Sequence, residues 1–118
     1  MNVLNPITNQ TLAVIDVDTL ESVMTKLTRA KTASLGFALT SLDDRLSIIS
    51  TFKSLLLQNI DSLAIDLTNE VGKPLSESRN EINSSIAKLD YFLNEAEQIL
   101  ESKTVHTDGT TDEIIDYD

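Results

Sequence analysis

A helix stop and a helix start stand two residues apart in the middle of this chain, between two long amphipathic stretches. Glycine often ends a helix in the left-handed conformation because it has no Cβ to clash there, so Gly72 predicts a helix end. Pro74 suits the first turn of the next helix, where its missing N–H would have no intrahelical partner. The sequence therefore predicts a helix that ends at Val71 and a second that begins near Pro74.

The stretch after Pro74 carries the clearest helical pattern. Apolar residues recur at three- and four-residue spacing to about Ser102, which places them on one face of a helix. They are Leu75, Ile82, Ile86, Leu89, Leu93, Ala96 and Leu100. We therefore predict one long amphipathic helix over this stretch.

A further helix is predicted after an N-terminal strand. Residues 12–17 are short, partly β-branched and end in acidic residues, which is typical of a strand. Asp18 then has the chemistry of an N-cap, with Glu21 at capping-box spacing. The apolar stripe that follows runs to about Ser34.

The segment from Ser41 to Val71 is also helical in pattern. Ser41 is predicted to begin it, with Asp44 at the third helical position. A single helix over this span would be long for a globular domain, and Asn59 can cap a new start. We therefore predict a break between Gln58 and Asp61.

The C-terminal tail changes character. Residues 104–107 and 110–118 read as two strands joined by a turn at Asp108-Gly109. The predicted class is α+β and mainly helical: one N-terminal strand, three or four helices and a C-terminal β-hairpin. Residues 1–103 form the helical part in this interpretation, and residues 104–118 form the hairpin.

Composition and charge limit the function classes. A chain of 118 residues is long enough for one domain, and its net charge of −10 would repel a phosphate backbone. The N-terminus lacks the basic and apolar regions of a signal peptide, and no apolar run approaches the ~20 residues that span a bilayer. We expect a cytoplasmic protein that binds neither nucleic acid nor membrane.

Few side chains could carry chemistry. The chain contains no Cys, and His106 is its only His, so neither a thiol nucleophile nor a two-His metal site can form within it. Acidic residues near the C-terminus could supply a carboxylate pair, but they are more typical of a solvated face. These are Glu95, Glu97, Glu101, Asp112, Glu113, Asp116 and Asp118. We predict no catalytic, cofactor-binding or metal-binding residue here.

Several motifs together resemble the aldehyde dehydrogenase superfamily. They are Asn5-Pro6-Ile7-Thr8, Leu42-Asp43-Asp44-Arg45, Glu70-Val71-Gly72-Lys73-Pro74 with the following Leu75-Ser76-Glu77, and Tyr91-Phe92. Phe37 departs from the pattern, since many members have Trp there. The resemblance covers nearly the whole chain but only the N-terminal part of a full-length member, and it looks closest to succinate-semialdehyde dehydrogenases.

The resemblance implies a parent enzyme that oxidises an aldehyde to a carboxylic acid with NAD or NADP. The family's cysteine nucleophile, glutamate base, oxyanion-binding asparagine and phosphate-binding turn all lie downstream of Asp118. This chain alone is therefore expected to be inactive and to bind no cofactor. In the intact family these helices pack on the dinucleotide-binding sheet. The hairpin resembles the arm through which subunits associate, so we expect self-association through it.

Two alternatives remain open at this stage. Some family members hold a structural monovalent cation, which here would use the carbonyls of Val3 and Leu4 with the carboxylate of Glu70, although helix geometry alone accounts for the Gly72 turn. The apolar stripes also fit a stand-alone helical module that binds a partner helix or a second copy without catalysis.

Overall fold

Four helices lie between two small antiparallel ribbons in the computed structural model, which describes residues 1–116. The helices are α1 (Leu20–Phe37), α2 (Leu42–Gln58), α3 (Ile60–Val71) and α4 (Leu75–Ile99). The strands are β1 (Asn2–Leu4), β2 (Thr11–Val14), β3 (Lys103–Thr107) and β4 (Asp112–Ile115). The predicted mainly helical α+β class is confirmed.

The N-terminal ribbon corrects the prediction of one strand over 12–17. Two strands are present: β1 pairs antiparallel with β2, and β2 ends at Val14. Beyond Val14 the backbone N–H of Ile15 still donates to the Met1 carbonyl at 2.8 Å. A three-residue strand such as β1 is too short to show an alternating pattern, which is why the sequence did not reveal it.

Helix α1 begins one residue later than predicted. Its N-cap is Thr19, whose Oγ1 accepts from the Ser22 backbone N–H at 3.2 Å, so the assignment of Asp18 as cap is wrong. The Asp18 carboxylate instead accepts from the Ser22 hydroxyl at 2.7 Å and from Lys26 Nζ at 2.6 Å. Asp and Thr both cap helices well, so residue type could not separate these neighbours.

The start of α2 and the break after it are confirmed. Ser41 Oγ accepts from the Asp44 backbone N–H at 3.1 Å and donates to Asp44 Oδ2 at 2.7 Å. Only Asn59 separates α2 from α3, and its carbonyl accepts from the Leu63 N–H of α3 at 3.0 Å, but its side chain makes no capping bond to α3. The side-chain Nδ2 of Asn59 donates instead to the Leu55 carbonyl of α2 at 2.8 Å.

Gly72 ends α3 as predicted, with φ 78° and its N–H donating to the Thr68 carbonyl at 2.8 Å. Pro74 occupies the N-cap position of α4 with extended backbone, one residue before the first turn where the sequence placed it. Its carbonyl accepts from the Glu77 and Ser78 N–H groups at 2.9 and 3.1 Å. Helix α4 ends at Ile99, three residues short of the predicted Ser102.

The core is small and lies where α2, α3 and α4 meet. Its buried apolar residues are Ala64, Ile82 and Ile86, surrounded by the partly buried Leu56, Ile60 and Leu63. Helix α1 buries none of its 18 residues. Within residues 1–116, none of the helices combines the length and apolarity needed to cross a membrane.

The C-terminal hairpin forms through Asp108-Gly109, as predicted. Strand β3 pairs antiparallel with β4, with an irregularity between Thr104 and His106, and both strands are exposed along their length. The Asp108 carboxylate accepts from the Thr110 and Thr111 N–H groups at 2.9 and 2.7 Å. Tyr117 and Asp118, the end of the predicted second strand, lie outside the described residues.

Candidate functional site

The turn between α3 and α4 is held against the N-terminal segment. A Cβ placed on Gly72 would lie 2.8 Å from Pro6 Cγ and 3.6 Å from Ile7 Cγ1. Two features therefore require glycine at position 72: the left-handed backbone conformation and the close approach of Pro6. The structure thus joins two of the motifs singled out in the sequence, although they are 66 residues apart.

The segment that carries Pro6 is itself fixed by Asn5. Asn5 is buried, and its Oδ1 accepts from the Ile7 and Thr8 N–H groups at 2.9 and 3.0 Å. The Asn5 backbone N–H donates to the Gln10 carbonyl at 2.9 Å. This Asx-type turn places Pro6 against Gly72, so the Asn5-Pro6 motif has a structural role.

Polar contacts brace the same corner from the other side. Thr68 Oγ1 and Ser78 Oγ lie 2.8 Å apart, and Ser78 is fully buried. The ammonium of the half-buried Lys73, in the turn before α4, pairs with the carboxylate of the exposed Glu81 on α4. Ser78 lies four residues before Ile82 on the buried face of α4, but as a polar residue it does not stand out in the apolar pattern of the sequence.

The suggested cation site involves the same corner. The contact of Pro6 with Gly72 brings the segment after Val3 and Leu4 to the corner that carries Glu70. The Glu70 side chain is exposed, however. Across the described part of the chain, no three His, Cys, Asp or Glu side chains converge on a position that could hold a metal ion. The cation site therefore stays a prediction.

An open groove of about 540 Å³ runs between α2, α3 and α4. Its wall is apolar apart from one hydroxyl and one ammonium group. The lining residues are Phe52, Leu56, Leu63, Leu67, Ile82, Ser85, Lys88 and Leu89. A groove of this mainly apolar composition can receive apolar side chains.

Beside the groove, Lys53 of α2 pairs with Asp90 of α4, and this ion pair links the two helices.

Two further motifs of the sequence are also located in the structure. Arg45, from the Leu-x-x-Arg motif, has a buried Nε that finds no hydrogen-bond partner within residues 1–116. The Tyr91 and Phe92 rings meet edge to face with centroids 5.4 Å apart, and both are exposed.

The remaining candidate side chains are dispersed. His106 is exposed on β3, and the predicted acidic face is also exposed, apart from the half-buried Glu95 and from Asp118, which lies outside the described part. Hydrogen bonds from Lys26, and then from Ser22, lower the pKa of Asp18. Hydrogen bonds from the Thr110 hydroxyl and from the Thr110 and Thr111 backbone lower the pKa of Asp108. Both carboxylates are exposed and serve local turns.

The architecture is therefore that of a helical unit with a structured corner at Gly72, an open apolar groove and a helix α1 that buries none of its residues. Residues 1–117 match the aldehyde dehydrogenase family. The chain belongs to the aldehyde dehydrogenase family.

Individual relatives agree with this assignment. The chain is 35% identical over 86 residues to N-succinylglutamate 5-semialdehyde dehydrogenase of Pseudomonas fluorescens, covering 73% of this chain and 18% of that enzyme. It is 30% identical over 98 residues to succinate-semialdehyde dehydrogenase [NADP(+)] 1 of Schizosaccharomyces pombe, covering 83% and 20%. It thus spans about a fifth of the length of the curated relatives that it matches.

The fold is shared with solved enzymes. The chain superposes on the crystal structure of succinic semialdehyde dehydrogenase from Streptococcus pyogenes in complex with NADP⁺ with a TM-score of 0.82 and 24% identity. The superposition covers 91% of this chain and 24% of that one. Most of this fold thus corresponds to about a quarter of that enzyme's chain.

Proposed function

We propose that this chain is the N-terminal structural segment of an NAD(P)-dependent aldehyde dehydrogenase. The intact enzyme would oxidise an aldehyde to a carboxylic acid, and this segment would contribute packing surfaces but no reacting group. The observation that carries the proposal is the family match over residues 1–117 in a chain without any cysteine. A thiol nucleophile for aldehyde oxidation would have to come from elsewhere in the parent.

The proposed substrate is an aldehyde that carries a carboxylate, with succinate semialdehyde as the leading member. The named enzymes from P. fluorescens, S. pombe and S. pyogenes all act on semialdehydes of carboxylic acids. The cofactor class follows in the same way, since the S. pombe and S. pyogenes enzymes are named with NADP. The cytoplasmic location stays a prediction.

A chimera tests the proposal. The segment of the S. pyogenes enzyme that superposes on this chain would be replaced by residues 1–118, and NADP-dependent oxidation of succinate semialdehyde would be measured. We expect an active chimera, because the segment supplies the helical packing that the rest of the enzyme needs. The matched control carries Gly72→Val, which should abolish folding and activity together through the contact with Pro6. A folded but inactive chimera would contradict the proposed role.

The hairpin is proposed as an association surface of the intact enzyme. Val105, Ile114 and Ile115 on β3 and β4 are 57%, 58% and 47% exposed, and exposed strand edges offer unpaired N–H and C=O groups to another chain. Ile114→Lys in the chimera should lower the mass of the assembly in light scattering, whereas Thr111→Lys in the turn should not, since Thr111 contributes its backbone N–H and carbonyl to the turn. An unchanged mass for Ile114→Lys would remove the hairpin from the interface.

A further inference from the structure

One half-buried cation of the helical body has no partner among the described residues. Arg45 lies in α2, and its buried Nε donates no hydrogen bond within residues 1–116. The ion pairs within the same residues use other cations, namely Lys26, Lys53, Lys73 and Arg79. Arg45 thus differs from Lys53, which is also half-buried on α2 but pairs with Asp90.

The helix that carries Arg45 gives this side chain no acidic partner. Side chains three and four positions apart on a helix are neighbours, and around Arg45 these positions hold Ser41, Leu42, Ile48 and Ile49. Arg45 is also the fourth residue of α2, near the positive end of the helix dipole, where a cation is disfavoured. Stabilisation of α2 therefore does not account for an arginine at this position.

The chemistry of the guanidinium group defines the partner that Arg45 needs. The group stays charged in proteins, and a buried N–H without an acceptor lowers the stability of the fold. A buried charge becomes tolerable when an opposite charge pairs with it and accepts its hydrogen bonds. The Nε and Nη donors form a planar fork that matches the two oxygens of a carboxylate. The fitting partner is therefore an Asp or Glu side chain.

We propose that Arg45 binds a carboxylate from the downstream part of the same polypeptide and so joins this helical segment to the rest of the parent enzyme. The inference rests on the proposed function, in which the chain is an N-terminal segment. The superposed part is only 24% of the S. pyogenes enzyme, so most of such a chain is available to supply the carboxylate. A contact within one polypeptide also avoids the loss of translational freedom that a second molecule would incur.

One substitution should therefore act with opposite sign in two settings. In the 118-residue chain, Arg45→Met keeps an unbranched side chain but removes the unpaired Nε, so it should raise the folding equilibrium constant about fivefold. In the chimera with the S. pyogenes enzyme, the same change leaves the partner carboxylate buried and unpaired. It should lower the folding equilibrium constant there by about tenfold or more. Urea denaturation measures both changes.

Two further variants serve as controls. Arg29→Met removes the same charge from an exposed position of α1 and should leave the stability of chain and chimera unchanged. Arg45→Lys keeps the charge but not the fork, so in the chimera it should restore part of the stability that Arg45→Met removes. A lysine variant no more stable than the methionine variant would contradict an ion pair at this position.

Double-mutant cycles identify the partner and separate the two proposals. Each Asp and Glu of the S. pyogenes part is changed to its amide, alone and together with Arg45→Met, and one of them should show non-additive losses of stability. Backbone carbonyls as partners would leave every acidic change additive and would overturn the carboxylate. Loss of stability on Arg45→Met in the 118-residue chain would also overturn the inference, since Arg45 would then have a partner within it. An inactive chimera with Arg45 intact would instead contradict the proposed function.

Discussion

Ser78 Oγ and Thr68 Oγ1 lie 2.8 Å apart and link α4 to α3 across the corner at Gly72. Ser78 is fully buried on the same face of α4 as Ile82 and Ile86, whereas Thr68 is only partly buried. Burying a hydroxyl without a hydrogen-bond partner lowers the stability of the fold, so each of these hydroxyls offsets the cost of burying the other. The pair therefore joins α3 to α4 and stabilises the corner.

The unequal burial predicts unequal effects of removing either hydroxyl. Thr68→Val leaves the Ser78 hydroxyl buried without its partner and should lower the free energy of unfolding by about 1–3 kcal/mol. Ser78→Ala leaves Thr68 near solvent and should cost about 1 kcal/mol or less. Urea denaturation of both single variants and the double variant measures this, with the exposed Ser84→Ala as control. A Ser78→Ala variant less stable than Thr68→Val would contradict the argument.

Gly72 and Gly36 should respond oppositely to alanine. Gly72→Ala places a Cβ at φ 78° and 2.8 Å from Pro6 Cγ, so beyond the roughly 1–2 kcal/mol of left-handed strain it displaces Pro6. Gly36 lies inside α1 with nothing within 4 Å, so Gly36→Ala should raise helicity. Thermal melts followed by circular dichroism compare them. Pro6→Ala should partly restore the Gly72→Ala variant, and no restoration would mean that the contact is unimportant.

Much of the fold could be predicted from the sequence because its signals are local. The capping of α2 by Ser41, the break at Asn59 and the stop at Gly72 depend on residues within one helical turn of each site. Local chemistry did not separate Asp18 from Thr19, which are both good caps. It also missed β1, which exists because Asn2–Leu4 pairs with a strand that begins seven residues later.

The candidate site was less predictable because its contacts are distant in sequence. Pro6 and Gly72 were each singled out, but no local rule says that they touch. Ser78 was passed over, because a hydroxyl on an apolar face carries no periodic signal until its partner Thr68 is known. The groove likewise depends on how three helices meet, which periodicity along one helix cannot specify.

The Asp108 turn should depend on pH. Hydrogen bonds from Thr110 and Thr111 lower the pKa of Asp108 below 3.8, so the folded turn favours the carboxylate. Its contribution is complete above the ordinary pKa and is lost as pH falls through the lowered one, because the unfolded turn takes up the proton first. NMR titration of the Asp108 carboxyl and of the Thr110 and Thr111 amides follows this loss. Asp108→Asn keeps an acceptor and should abolish the pH dependence, and a carboxyl that titrates at or above 3.8 would refute the prediction.

The 118-residue chain alone should neither oxidise succinate semialdehyde nor bind NAD or NADP. It contains no cysteine to attack the carbonyl carbon, and its three glycines are single and far apart, so no glycine-rich turn can cradle a pyrophosphate. Calorimetric titration with each cofactor measures binding, and the S. pyogenes enzyme, solved with NADP⁺, serves as positive control. The net charge of −10 would also repel the phosphate groups of either cofactor. Saturable binding tighter than about 1 mM, a weak affinity of roughly 4 kcal/mol, would show that residues 1–118 contain a nucleotide site after all.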